Sequence, residues 1–145
     1  MGLVIRMLEE RDIEAVSRIE SEAFSMPWSS EDFADLLKRS YCIYLVAELD
    51  GEIVGSAGMT DLCHEGNIDN VVVAAKNRGQ GIAQKMLAKL MEIGGSRGII
   101  AYTLEVRVSN EAAIHVYEKA GFVSEGVRPG FYEKPKEDAL IMWKK

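Results

Sequence analysis

Two features of this chain could do chemistry: a carboxylate inside an apolar strand and a glycine-containing loop in front of a helix. Glu105 stands between Leu104 and Val106. A carboxylate in such surroundings costs free energy unless it is solvated or paired. Arg107, two residues along on the same strand face, is one candidate partner. Alternatively, burial raises the Glu105 pKa and the residue serves as a general base, directly or through water. The second feature begins at Asn70, where Val71, Val72 and Val73 lead through Ala74, Ala75, Lys76 and Asn77. Arg78, Gly79, Gln80, Gly81, Ile82, Ala83 and Gln84 follow. Ile82, Met86, Leu87, Leu90 and Met91 then recur at helical spacing. Gly79 and Gly81 let the backbone approach a ligand, and the first helical turn directs N–H groups and the positive dipole end at an anion. A phosphorylated cofactor is expected there. Gln84 stands where a dinucleotide fingerprint has its third glycine, and the Gly-Lys-Ser/Thr of a Walker loop is missing. His64 and His115 have no metal-ligand spacing with Cys42 and Cys63, so no metal is expected.

The elements that must position these groups can be laid out in order. Residues 3–7 form a short strand. Asp12 caps a helix in which Ile13, Val16, Ile19 and Ala23 share a face. Pro27 interrupts, and Ser29 caps a second helix. Trp28 and Phe33 occupy its hydrophobic-staple positions, and Phe33, Leu36 and Leu37 form its buried stripe. Residues 41–49 and 52–60 are strands joined by the Asp50-Gly51 hairpin turn. Another turn covers residues 64–66, and residues 67–73 form the next strand. The helix after Gly81 is expected to end at Gly94-Gly95. A strand over residues 99–108 precedes a short helix capped by Ser109-Asn110. Ala113, Val116, Tyr117 and Ala120 share a face of that helix, and Gly121 closes it. A tyrosine so placed is ordinarily core, with its hydroxyl at the edge. Residues 123–127 and 139–143 are the last strands, with a loop between them. The order β-α-α-β-β-β-α-β-α-β-β is that of a mixed α/β sheet flanked by helices.

At 145 residues, 48% hydrophobic and 28% charged, the chain has an ordinary globular balance and suits one domain. A net charge of −6 argues against broad binding to nucleic acid or anionic membrane and is compatible with a basic protein or an amine substrate. Two scattered cysteines fit a reducing cytoplasm better than a disulfide framework. Early acidic residues (Glu9, Glu10, Asp12) leave no signal peptide, no window reaches membrane-spanning length, and Arg6 spoils a myristoylation pattern after Gly2.

Arg78-x-x-Gly81-x-Ala83, between a strand and a helix, resembles the acetyl-CoA signature of the GCN5-related N-acetyltransferases (GNAT). The block Leu104-Glu105-Val106-Arg107-Val108-Ser109-Asn110, followed by Ala113-Ile114, Tyr117-Glu118 and Gly121-Phe122, is similar to the RimI-type N-terminal protein acetyltransferases. Pro27-Trp28-Ser29, Arg128-x-x-Phe131-Tyr132 and Glu137-Asp138-Ala139-x-x-Met142 match the same group. The chain departs from it at Ala74-Ala75, which replace Asp-Pro, at Phe131, which replaces the first of two tyrosines, and at Gly94-Gly95, which shorten or bend a helix.

The resemblance implies one GNAT-like domain over residues 1–145, an α/β (α+β) fold with a mixed, mostly antiparallel central sheet flanked by helices. It implies acetyl-CoA as cosubstrate. Val71, Val72 and Val73 would lie beside its pantetheine arm, and a strand N–H would polarise the acetyl carbonyl. Arg78, Gly79, Gln80, Gly81, Ile82, Ala83 and Gln84 would hold the pyrophosphate, with Asn110 as a further contact. Glu105 is then the general base and Tyr117 the general acid for the departing sulfur. Trp28, the loop around Met26, and Tyr132 line the acceptor entrance. The acceptor implied is a protein N-terminal amine, the alanine of a small-subunit ribosomal protein. Two alternatives remain open: an acetyltransferase for a small amine or a lysine side chain, and a non-catalytic acyl-CoA-binding module.

Overall fold

The computed structural model describes residues 2–23, 28–133 and 135–145. The expected break at Pro27 and the loop residue Met26 lie outside the described residues. Strand β1 (Leu3–Met7) is followed by a 3-10 turn (Glu10–Asp12), helix α1 (Ile13–Ala23) and helix α2 (Ser30–Leu36). Next come β2 (Cys42–Leu49), β3 (Glu52–Leu62), β4 (Glu65–Val73), a second 3-10 turn (Ala75–Asn77) and helix α3 (Ile82–Ser96). The chain closes with β5 (Ala101–Arg107), α4 (Glu111–Lys119), β6 (Val123–Glu133) and β7 (Lys136–Lys144). The expected order of elements is realised, with two 3-10 turns added.

All seven strands form one sheet in the order β1-β2-β3-β4-β5-β7-β6. Every pairing is antiparallel except β4 with β5. Strand β2 explains why residues 42–49 read as a continuous apolar run, since both its faces are covered. Ile43, Leu45 and Ala47 join α3's Ile82, Met86, Leu87 and Leu90 in the larger core. Tyr44 and Val46 face the other way and pack with Ile13, Val16, Phe33 and Leu36 of α1 and α2. Helix α3 therefore covers one face of the sheet, and α1 with α2 the other.

Local chemistry shapes several of these elements. Ser29 caps α2 by accepting from the Asp32 N–H at 3.1 Å, and Trp28 rests on Phe33 with ring centroids 5.4 Å apart. Asp50 and Gly51 both have positive φ, as their hairpin turn requires. Asp12 does not cap α1 as expected: it ends the 3-10 turn whose N-cap is Glu9. It accepts a bidentate pair from Arg6 at 2.7 and 2.9 Å and the Glu9 backbone N–H at 2.8 Å, so β1 is clamped to the start of α1.

Four more expectations are corrected. In α1, Ala23 is exposed and the buried place belongs to Glu20, one turn after Val16. Leu37 ends α2 as an exposed residue. Gly94 and Gly95 do not end α3, which runs on to Ser96, and Gly98 at φ +84° follows its last turn. Gly94 is there for space, because a Cβ on it would collide with the Tyr102 hydroxyl and ring. Finally, most of residues 128–138 are the arms of a long β6–β7 hairpin. Its pairs include Arg128↔Ala139 and Tyr132↔Glu137, with an irregularity between Arg128 and Tyr132.

Candidate active site

The parallel pairing of β4 with β5 stops after three residue pairs, the last being Asn67↔Thr103. Beyond it β5 remains paired with β7, while β4 keeps its antiparallel partner β3 and leaves its other edge open. A cleft of about 650 Å³ fills the gap. Its walls are residues 67–71 of β4 and Glu105, Val106 and Arg107 of β5. Asn110, Ala113 and Tyr117 approach from α4; Ala23 and Trp28 lie at the α1–α2 end, and Phe131 and Tyr132 come from β6.

Strand β4 is also bulged here. Ala57 pairs with Val71 and Met59 with Ile68, so Asp69 and Asn70 together face the single residue Gly58. The bulge sends both polar side chains to partners on the α1–α2 side of the sheet. Asp69 accepts from the Thr60 hydroxyl at 2.8 Å. Asn70 donates its amide to Glu20 at 2.9 Å. The fully buried Glu20 carboxylate also receives the hydroxyls of Tyr44 and Ser56. Burial raises the Glu20 pKa against the pull of these donors, and burial with the Glu20 charge raises that of Tyr44.

Glu105 is partly buried and pairs with Arg128 of β6 at 3.0 Å. The neighbour suggested by sequence, Arg107, instead pairs with Glu137 at 3.2 Å and lies 4.3 Å from the centroid of the Tyr132 ring. Residues 105 and 107 do share a face, but the antiparallel β7 and β6 bring nearer partners to each. Glu137 is held below its ordinary pKa by the Ser109 side chain and backbone N–H, and by Arg107.

Tyr117 is 8% exposed, so the ordinary expectation of a core tyrosine is met for its ring, which packs edge-on against Phe122 at 6.0 Å. Its residue also lines the cleft. Burial, then proximity to Tyr132, raises its pKa well above that of a free tyrosine. Tyr132 is raised too, by burial and then by Glu105, with Arg107 opposing.

The loop ahead of α3 has the backbone that its glycines imply. Gly79 and Gly81 have φ of +80° and +77°, and a Cβ built on either meets nothing within 4 Å. Open space thus lies against the loop, as a bound phosphate requires. Arg78 is exposed and donates to the Val73 carbonyl at 3.2 Å, which folds the loop over the end of β4. The Gln84 side chain donates to the Val116 carbonyl at 2.9 Å and ties α3 to α4. Ile82 is buried core, so the backbone is what it offers a ligand. Val72 is core, whereas Val71 and Val73 are half-buried. Asn110 caps α4 by accepting from Ala113 N–H at 3.2 Å.

The model of the acetyltransferase (GNAT) family matches residues 13–122. The chain belongs to the GNAT family. A Bacillus subtilis relative, provisionally named a ribosomal protein bS18-alanine N-acetyltransferase, is 34% identical over 96% of this chain and 93% of its own length. The Escherichia coli K12 protein named ribosomal protein bS18-alanine N-acetyltransferase is 32% identical over 95% of this chain and 94% of its own. The crystal structure of the Escherichia coli ribosomal-protein-S18-alanine N-acetyltransferase superposes with a TM-score of 0.88 at 30% identity, covering 98% of this chain and 92% of that one. As a GNAT protein the chain is an acetyl-CoA-dependent N-acetyltransferase. Among the described residues no three His, Cys, Asp or Glu side chains gather to hold a metal ion, and no helix is long and apolar enough to cross a membrane.

In this GNAT fold Glu105, Tyr117, Tyr132, Trp28, Val71 and Asn110 meet at one cleft. Residues 78–81 form the separate loop beyond the end of β4, and residues 82–84 are the first turn of α3. In sequence, Asp69 and the buried Glu20 have no assigned role, and Arg128 is named only as part of a motif, not as the partner of Glu105. A signal existed for two of them: Asp69-Asn70 interrupts an apolar strand, and Glu20 falls on the apolar stripe set by Ile13 and Val16.

Proposed function

We propose that this chain acetylates the N-terminal α-amine of a protein, the terminal alanine of a small-subunit ribosomal protein. The observation that carries this is the cleft between β4 and β5, where Glu105 and Tyr117 reach a common space from β5 and α4. Support for the acceptor comes from relatives named for bS18-alanine acetylation that align over nearly their full lengths. The net charge of −6 suits a basic partner.

Acetyl-CoA, once bound, supplies an activated acetyl group on a thioester. Residues 78–84 would hold its pyrophosphate through backbone N–H groups, with Arg78 adding charge. The free edge formed by Val71, Val72 and Val73 would align the pantetheine arm as an added strand does. Glu105 takes a proton from the acceptor ammonium, directly or through water, so that the amine can attack. Arg128 holds that carboxylate in place. A β4 backbone N–H favours the charge that develops on the carbonyl oxygen. Tyr117 gives its proton to the departing sulfur, and its raised pKa keeps that proton available at neutral pH. Trp28 and Tyr132 would frame the acceptor at the mouth.

The test is thiol release from acetyl-CoA with a panel of acceptors. Free Ala-starting peptides should turn over in preference to peptides with other first residues. Preference for N-terminally blocked lysine peptides or polyamines would replace the acceptor. Binding of acetyl-CoA without release on any acceptor would leave a non-catalytic module.

A further inference from the structure

Every carboxylate in the cleft needs a counterion or solvent, and the cleft treats its two central ones differently. Glu105 already has Arg128 at 3.0 Å. Asp69 is half-buried on the bulge of β4, with one oxygen receiving the Thr60 hydroxyl. Among the described residues no basic nitrogen lies within 4.0 Å of it. Asp69 and Glu105 line the same cleft, and the Asp69 pKa is raised by burial, with the Thr60 hydroxyl opposing and the charge of Glu105 adding to it. A charge so placed destabilises the empty protein unless a cation arrives to pair with it.

The position of Asp69 says which cation that is. Asp69 and Trp28 are shared by the main cleft and by a second hollow of about 400 Å³. That hollow runs between α2 and the start of β2, past Asp35, Arg39 and Tyr41. Asp69 thus sits on the α1–α2 side of the sheet, where the main cleft and this hollow meet. The bulge exists to hold it there, since a regular β4 would carry residues 69 and 70 to opposite faces.

We propose that Asp69 is an acceptor-binding residue: its carboxylate is the counterion that captures the terminal ammonium of the incoming chain beside Glu105. Glu105 then takes the proton, while Asp69 determines how tightly the acceptor is held. This assignment rests on the acceptor being an amine, as in the function proposed above.

Asp69→Asn keeps the shape and the oxygen that Thr60 bonds, and removes only the charge. With an Ala-starting peptide, the acceptor KM should rise about 10- to 100-fold, the range of a lost charge-assisted hydrogen bond. The kcat should stay within a few-fold, and the KM for acetyl-CoA should not move. The melting temperature should stay level or rise, because an uncompensated charge has been removed. In binding measurements with CoA present, wild type should prefer the free-amine peptide to its desamino analogue, and D69N should lose that preference. An unchanged acceptor KM, a preserved preference in D69N, or a fall in melting temperature with equal losses for both peptides would overturn the assignment. If wild type itself fails with every N-terminal peptide but acetylates another amine, the proposed acceptor fails instead. The same comparison on that amine then decides the role of Asp69.

Discussion

Glu105 and Tyr117 reach the cleft from different elements and have opposite tasks, and each can be removed without removing its bulk. Glu105→Gln should lower kcat by about 100-fold or more, the usual worth of a positioned base, with acetyl-CoA KM unchanged in steady-state assays. Full activity at neutral pH would take the base role from Glu105. Tyr117→Phe should lower kcat by about 10-fold or more while acetyl-CoA affinity, read by calorimetry, stays the same. The pH dependence has a definite sign for Tyr117. Its pKa is raised by burial, so the protonated form that serves as acid persists beyond the free-tyrosine value of about 10. Wild-type kcat should therefore hold through about pH 10, and a loss centred on the free-tyrosine value would contradict a buried acid.

At the scale of elements, α3 and the β1–α1 junction give contrasting tests. Gly94 and Gly95 are adjacent in one helix but differ in surroundings: Tyr102 fills the space beside Gly94, and nothing lies within 4 Å of a Cβ on Gly95. Gly95→Ala should stabilise by about 0.5–1 kcal/mol through helix propensity. Gly94→Ala should destabilise by about 1–3 kcal/mol through overpacking, despite the same propensity gain. Denaturant melts of the two variants decide the matter. At the other junction, the Arg6 pair holds Asp12 below its ordinary pKa. A lowered carboxylate contributes stability above its unfolded value that is lost as pH falls through its folded value. Asp12→Asn should cost about 1–3 kcal/mol at neutral pH. The gap to wild type should close below about pH 4, as both reach the unpaired state.

For the whole molecule, the parting of β4 from β5 opens the sheet between its two covered faces. The glycine loop and α4 lie with α3, whereas Asp69 and Trp28 lie with α1 and α2. In the proposed reaction acetyl-CoA and the acceptor would enter this cleft from opposite sides. The proposed mechanism, direct transfer in a ternary complex with Glu105 as base and Tyr117 as acid, needs no acetyl-enzyme. Incubation with acetyl-CoA alone should leave the intact mass of the protein unchanged, and double-reciprocal plots should intersect. A stable acetyl-enzyme or parallel plots would refute direct transfer.

Local chemistry in the sequence was enough for the strand–loop–helix around Gly79 and Gly81, the Asn110 and Ser29 caps and the Asp50-Gly51 turn. Each depends on residues only a few positions apart. It was also enough to place Glu105 in an apolar strand and Tyr117 on an apolar helix face. Gly94-Gly95 misled because a helix-ending glycine and a space-making glycine are the same residue in sequence; only Tyr102, brought across from β5, distinguishes them. The partners of Glu105 and Arg107 misled for the same reason. Sequence offers the nearest opposite charge along the strand, whereas β6 and β7 supply nearer ones across it. Above all, the fold decided where β4 and β5 part and where β4 bulges. Those two departures from regular pairing set Asp69 and Asn70 on one side of the sheet and bring Glu105 and Tyr117 to one cleft; the polar pair hints at the bulge in sequence, but its partners Thr60 and Glu20 come from β3 and α1.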